Sequence, residues 1–264
     1  MTQRSRTMAT ILVTGSSDGI GRHTAAALAE AGHRVVLHAR NARRAEEARA
    51  AVPDAVAVVH GDLASLAQTT TMALAAAEFG RFDVVIHNAG IGGGQAQPSV
   101  TEDGLERIFQ VNVLAPYVLT CLLPRPGRLV YLTSGLESAG TVRLDDLQWR
   151  TRSWNGMQAY SDSKLYDVML AFAFARRWTD VLSNAVDPGW IRTRMGGPGA
   201  TDDVPEGADT QIWLATSDEP DATVTGAYFK RRQQLRANAQ AYDRKLQEDL
   251  LAACADLSGV GPPD

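Results

Sequence analysis

Apolar residues concentrate in six short β-rich runs: "TILVT" (10–14), "RVVLH" (34–38), "AVAVVH" (55–60), "FDVVIH" (82–87), "GRLVYLT" (127–133) and "VLSNAVD" (181–187). The runs are apolar almost throughout instead of alternating, which is the pattern of strands covered on both faces. Between them lie segments of helical length, and the spacing predicts helices over 20–31, 42–51, 64–79, 102–123, 158–179 and 206–217, with a last one near 239–256. Pro124 and the "PRPG" stretch stop the fourth. Strand and helix in strict alternation predict an α/β chain with one doubly wound parallel sheet and helices on both faces. With no internal repeat and no low-complexity linker, residues 9–264 are expected to form a single domain, and residues 1–8 a disordered extension. Residues 190–209, rich in Gly, Pro and Asp, follow the last run directly and read as a surface loop or a substrate lid.

Composition narrows the function classes. The 264 residues are 45% apolar and 21% charged with a net charge of -4, which leaves no basic footprint for nucleic acid. No apolar run reaches the length of a membrane span, and "MTQRSRTMAT" lacks the apolar core of a signal peptide, so a cytoplasmic protein is expected. Cys121 and Cys254 form no metal-binding spacing, and His23, His33, His38, His60 and His87 stand apart from them, so no metal site is expected.

Chemistry enters at the first run-to-helix junction, "TGSSDGIGRHTAAALAEAG". Gly15, Gly19 and Gly21 in G-x-x-x-G-x-G spacing allow a sharp turn and close approach of the backbone to a pyrophosphate, met by the amides of the helix start. Ser17, Asp18 and Ile20 share that loop. A Rossmann-type dinucleotide site follows. After the second run, where an NAD site needs a carboxylate for the ribose 2′-hydroxyl, the chain has Ala39-Arg40-Asn41. Arg40 offers a planar fork of donors suited to a 2′-phosphate, so NADP(H) is the expected cofactor, with Arg22 and Arg43 as weaker candidates. Asp62, beside Leu63, would stand near the adenine or cap the next helix.

Together with these, Asn88-Ala89-Gly90, "VNVL" (111–114), Ser134, Tyr160-x-x-x-Lys164 and "DPGWIRT" (187–193) occur in order. The chain resembles the short-chain dehydrogenase/reductase family over about residues 9 to 230, and within it the retinol-dehydrogenase-like branch through "HARN", "TEDGLERIFQVNVL" and "AYSDSKL". The resemblance implies a catalytic Ser134, Tyr160 and Lys164 with Asn112 as fourth member. It also implies cofactor contacts from Asn88, Ala89, Gly90, Pro188, Gly189, Ile191 and Thr193. Physical chemistry agrees with the triad. A phenol with a pKa near 10 needs help to exchange a proton at neutral pH, and an ammonium one turn away favours the phenolate. Of 26 basic residues only Lys164, Lys230 and Lys245 are lysines, so the choice of lysine at 164 stands out.

Ser134 and Tyr160 are separated by an insertion carrying Trp149 and Trp154, which would either wall a pocket or pin the loop. Leu136, Glu137, Trp154, Trp190 and Met195 are the candidate substrate contacts. Ala115-Pro116 departs from the Gly-His that the branch usually has. The expected activity is NADP(H)-dependent carbonyl reduction, or the reverse alcohol oxidation, on a bulky small molecule. The alternatives are a non-catalytic NADP(H)-binding regulator and a C=C reductase resembling protochlorophyllide reductases. The partner is a small-molecule substrate, with neither nucleic acid nor membrane, and a homo-oligomer through helices 102–123 and 158–179 is possible on the family pattern.

Overall fold

The computed structural model describes residues 8–263. The expected extension over residues 1–8 therefore lies outside the described residues, apart from the exposed Met8. Strands β1 (Thr10–Val13), β2 (Arg34–Ala39), β3 (Ala57–His60), β4 (Val84–His87), β5 (Arg128–Leu132), β6 (Leu182–Val186), β7 (Tyr228–Lys230) and β8 (Gln233–Leu235) form one sheet in the order β3-β2-β1-β4-β5-β6-β7-β8. Every pair is parallel except β7 with β8.

Side chains of successive strand residues point to opposite faces, and here both faces are covered. Leu12, Val36, Val85, Leu129 and Tyr131 pack with helices α3 (Leu66–Ala77), α5 (Ala115–Leu122), α6 (Gly156–Arg177) and α8 (Arg244–Ser258). Their neighbours Ile11, Val13, Val35, Leu37 and Val130 pack with α1 (Gly19–Glu30), α2 (Ala42–Ala51) and α7 (Val204–Thr216). Two apolar layers on one strand explain the unbroken apolar runs. Because β1 is flanked by β2 on one side and β4 on the other, the chain turns in opposite directions there, opening a crevice at the carboxyl ends of both strands.

Three departures from expectation have local causes. The helix expected over 102–123 starts only at α4 (Arg107–Phe109): Gly104 takes a left-handed turn, and the Glu106 carboxylate accepts from the amides of Ile108 and Phe109, capping the helix there. The run then passes through a π turn, Gln110–Leu114, before α5. Pro116 lacks the amide that would bond the carbonyl of Asn112, and Ala115 reaches back five residues to Gln110 instead. The β7–β8 hairpin was not expected, because its turn uses Arg231 and Arg232 at φ 50 and 58 where Asn or Gly would announce it.

His87, at the end of β4, is a polar residue deep in the core. Its Nε2 lies 2.9 Å from Thr120 Oγ1, which is 2.8 Å from the Tyr131 hydroxyl, and its ring lies against that of Tyr131 at 4.6 Å. Burial holds its pKa down at about 3. The folded value lies below the unfolded one, so His87 supports the fold fully above pH 6.5 and that support is lost as pH falls towards 3, by about 1.4 kcal/mol per pH unit. Urea unfolding at pH 7.5 and pH 5 is expected to show a loss about 2 kcal/mol larger in the wild type than in His87→Gln, which has no such titration.

Candidate active site

The crevice beside β1 is a cleft of about 340 Å³ that gathers residues from eight segments of the chain. The glycine loop forms its floor. Gly15 is at φ 63, and a Cβ there would lie 2.9 Å from Ala89 Cα; at Gly21 a Cβ would meet the Asn88 amide at 2.3 Å. Asn88 donates to Thr14 O at 2.9 Å, and the backbone amides of Asn88 and Ala89 both donate to Thr14 Oγ1. Loop and Asn-Ala-Gly segment thus interlock, with room for neither side chain. Gly15, Ser17, Gly19 and Ile20 line the cleft where α1 begins, and the first-turn amides of a helix lack intrahelical partners. A pyrophosphate fits this cradle.

Asp18 caps α1 by accepting from Gly19 N and pairs with Arg44 at 3.6 Å and Arg194 at 3.4 Å. Arg40, exposed, lines the cleft with Asp62, Leu63 and Gly90. Asn41 is absent from the lining: its carboxamide caps α2 by accepting from Arg44 N. Asp62 is not a helix cap either, since Ser65 caps α3 and Asp62 accepts from Ala64 N within the preceding turn.

Tyr160 and Lys164 reach the same cleft from the first half of α6. Lys164 is buried, with Nζ donating to Leu132 O at 2.9 Å and to Asp167 Oδ2 at 2.7 Å, and it stands 5.8 Å from the centroid of the Tyr160 ring. Two of its three protons are thereby committed. Burial opposes the ammonium, but the carboxylate of Asp167 and the oxygen of Tyr160 outweigh it and hold the pKa of Lys164 above its ordinary value. Burial pushes the Asp167 carboxyl up to about 6 despite the cation beside it. Asp167 escaped the sequence reading; its signal was a carboxylate three residues after Lys164 on the apolar face of α6.

Past the end of β5, Thr133 lines the cleft with Tyr160, whereas Ser134 is not among the lining residues. Thr133 donates to Lys164 O at 2.6 Å, fixing strand end to helix, while Ser134 accepts from Leu136 N at 3.3 Å as the cap of the turn Gly135–Ala139. Asn112, buried, accepts from Ile91 N through its side-chain oxygen and donates to Ile91 O and Ser163 Oγ through its amide, so it ties the π turn to the segment after β4. A Cβ on Gly90 would fall 3.3 Å from the Asn112 oxygen and 3.5 Å from Lys164 Nζ, which sets these groups around one point.

Pro188, Thr193 and Met195 form the opposite wall. Ile191 is not in it; the side chain packs under Gly207 at the start of α7. Gly189, at φ 96, is held by Asp187 through its amide and also lies outside the lining. Of the substrate candidates, Leu136, Trp190 and Met195 are exposed. Glu137, expected as a substrate contact, is instead buried and accepts from Asn238 N at 3.0 Å, anchoring the carboxyl-terminal segment. Trp154 donates to Gln95 O and packs edge-on against Trp149, over which Arg152 stacks at 3.6 Å, so the tryptophans pin the insertion. His38, Arg107 and Thr133 line the cleft and were missed.

A family model described as short chain dehydrogenase matches residues 9–142. The chain is 44% identical to an uncharacterized oxidoreductase of Emericella nidulans, covering 97% of this chain and 99% of that one. The chain belongs to the short-chain dehydrogenase family. It is 35% identical to a Streptomyces protein named for daunorubicin C-13 ketoreduction (95% of this chain, 92% of that one) and 33% identical to human retinol dehydrogenase 13 (96% and 86%). Among solved structures it is similar to an uncharacterized protein of Mycobacterium paratuberculosis, with a TM-score of 0.84, 29% identity and coverage of 97% and 95%. It is also similar to a metagenomic blue fluorescent protein in complex with NADPH, with a TM-score of 0.69, 26% identity and coverage of 86% and 97%. The short-chain dehydrogenase is thus an enzyme, an NAD(P)(H)-dependent oxidoreductase with a Ser/Thr–Tyr pair at its site. Among the described residues no helix is long and apolar enough to cross a membrane.

Removing one partner of a buried ion pair leaves the other charge uncompensated. Asp167→Leu is expected to cost about 3 kcal/mol in urea unfolding, and Lys164→Met combined with Asp167→Leu markedly less than the sum of the two single losses.

Proposed function

We propose that the short-chain dehydrogenase is an NADP(H)-dependent carbonyl reductase, reversible as an alcohol dehydrogenase, of the retinol-dehydrogenase-like branch, acting in the cytoplasm on a bulky apolar small molecule. The observation that carries the substrate class is a set of exposed large apolar side chains on the segments that supply the cleft, of which Met195 lines it together with Tyr160. Leu136 follows the β5 turn, Met157 lies one helical turn before Tyr160, and Trp190 and Met195 come from the segment after β6, each between 42% and 56% exposed. Exposed large apolar side chains around a cleft support an apolar ligand there. The likeness to a protein named for daunorubicin C-13 ketoreduction supports a ketone on a large ring system, and that to retinol dehydrogenases supports the branch.

NADPH, when bound, supplies the hydride that passes to the carbonyl carbon. Tyr160 gives its phenolic proton to the carbonyl oxygen as negative charge develops there. Ser134, freed from its weak 3.3 Å bond to Leu136 N, holds the same oxygen through its hydroxyl. Lys164 stabilises the phenolate left behind, and its uncommitted N–H is available to the cofactor ribose. Asp167 keeps that ammonium charged and stationary. Arg40 meets the 2′-phosphate with a guanidinium for which no salt-bridge partner occurs among the described residues.

Tyr160→Phe is expected to lower turnover of a ketone by about a thousand-fold with NADPH affinity changed only a few-fold; loss of cofactor binding instead would remove Tyr160 from this role. Arg40→Ala is expected to weaken NADPH by about 10- to 100-fold while leaving NADH unaffected, and equal binding of the two cofactors by the wild type would refute the 2′-phosphate assignment. Cofactor affinities are read by fluorescence titration and turnover by NADPH consumption, with the alcohol from C=O reduction and the saturated ketone from C=C reduction of an enone separated by chromatography.

A further inference from the structure

His38 is polar, buried and inside β2, yet it is bonded at every polar atom it has. Its Nδ1 accepts from Gly15 N at 3.0 Å and its Nε2 lies 3.0 Å from Gly61 O. An amide on one side and a carbonyl on the other admit only the neutral ring with its proton on Nε2. The backbone repeats the tie: His38 N donates to Ser16 Oγ at 2.9 Å, and His38 O accepts from Ser16 N at 3.0 Å. Gly15 and Ser16 belong to the glycine loop, whereas Gly61 directly precedes Asp62 and Leu63, and Gly15, His38, Gly61, Asp62 and Leu63 all line the one cleft. No other side chain among the described residues joins these two loops by hydrogen bonds at both ends.

We propose that His38 is a positioning residue for the cofactor, its neutral imidazole holding the glycine loop and the Asp62 loop at the separation that the adenosine half of the dinucleotide requires. This rests on the reading that the cleft binds NADP(H). A protonated ring would present N–H to the Gly15 amide, turning a bond into a repulsion. Burial disfavours that form and lowers the His38 pKa, with His60 acting in the same direction and the Gly61 carbonyl and Asp62 carboxylate against it. Asp18 and Arg40 are the other charged groups of this part of the cleft. The folded value lies below 6.5, so loop spacing is intact above that pH and is lost as pH falls through the folded pKa.

Glutamine separates the geometry from the titration, because its carboxamide oxygen and nitrogen can take the places of Nδ1 and Nε2 without gaining a proton. Isothermal titration with acid-stable NADP⁺ from about pH 5 to 8 is the measurement. His38→Gln is expected to bind within about 3-fold of wild type at pH 7.5 and to lack the part of the acid weakening that wild type shows below pH 6.5. His38→Leu, similar in bulk but without either bond, is expected to bind about 10-fold or more weakly at pH 7.5, with the loss falling on KM for NADPH and not on kcat. Wild-type affinity in His38→Leu, or an acid limb in His38→Gln equal to that of wild type, overturns the proposal. Arg40→Ala run alongside keeps the two readings apart: if it binds NADP⁺ as tightly as wild type, the cofactor reading fails, whatever the His38 variants do.

Discussion

A buried ammonium has to be compensated, and much of the architecture around the site answers that need. Lys164 enters from α6, the strand end of β5 supplies a carbonyl through Leu132, and the same helix supplies a carboxylate through Asp167. Thr133 returns a bond from β5 to the carbonyl of Lys164. Helix and strand are therefore joined by charge and hydrogen bonds at the point where Tyr160 must be held still. An arginine could carry the charge but not sit as a compact donor between a carbonyl and a carboxylate less than 3 Å away on either side.

A second constraint is steric. The glycine loop and the Asn88-Ala89-Gly90 segment approach so closely that side chains at Gly15 or Gly21 would collide with it. Thr14 satisfies the amides of that segment, and Asn88 satisfies the carbonyl of Thr14. The glycine loop is consequently part of the sheet's own hydrogen bonding instead of an appended loop. The proposed cofactor cleft and the sheet share the same bonds.

Features with a short sequence period, or with residues of unique chemistry, are legible in the amino-acid sequence itself: the six parallel strands, the glycine loop, and Tyr160 with Lys164. What escaped depends on contacts between distant positions. Glu106 and Gly104 moved a helix start by local capping that competes with an otherwise continuous helical pattern. Glu137 looked like a pocket residue because it follows Ser134, but Asn238, far along the chain, claims its carboxylate. Asp167 and His38 were hidden inside apolar segments, where a single polar residue gives no period and shows its purpose only through its partners. Trp149 and Trp154 turned out to brace one another with Arg152, a choice that aromatic content alone left open.

The Arg231-Arg232 turn has a meaning beyond its unusual backbone. Arg231 pairs with Asp202 and Arg232 with Asp209, so both guanidinium groups reach across to the segment that ends the cleft wall and begins α7. A glycine or asparagine there would relax the hairpin and sever both ties. The outermost, antiparallel corner of the sheet accepts an uncomfortable backbone in exchange for a grip on the wall of the site. This remote edge is thus fastened to the segment beside the pocket as well as to the sheet.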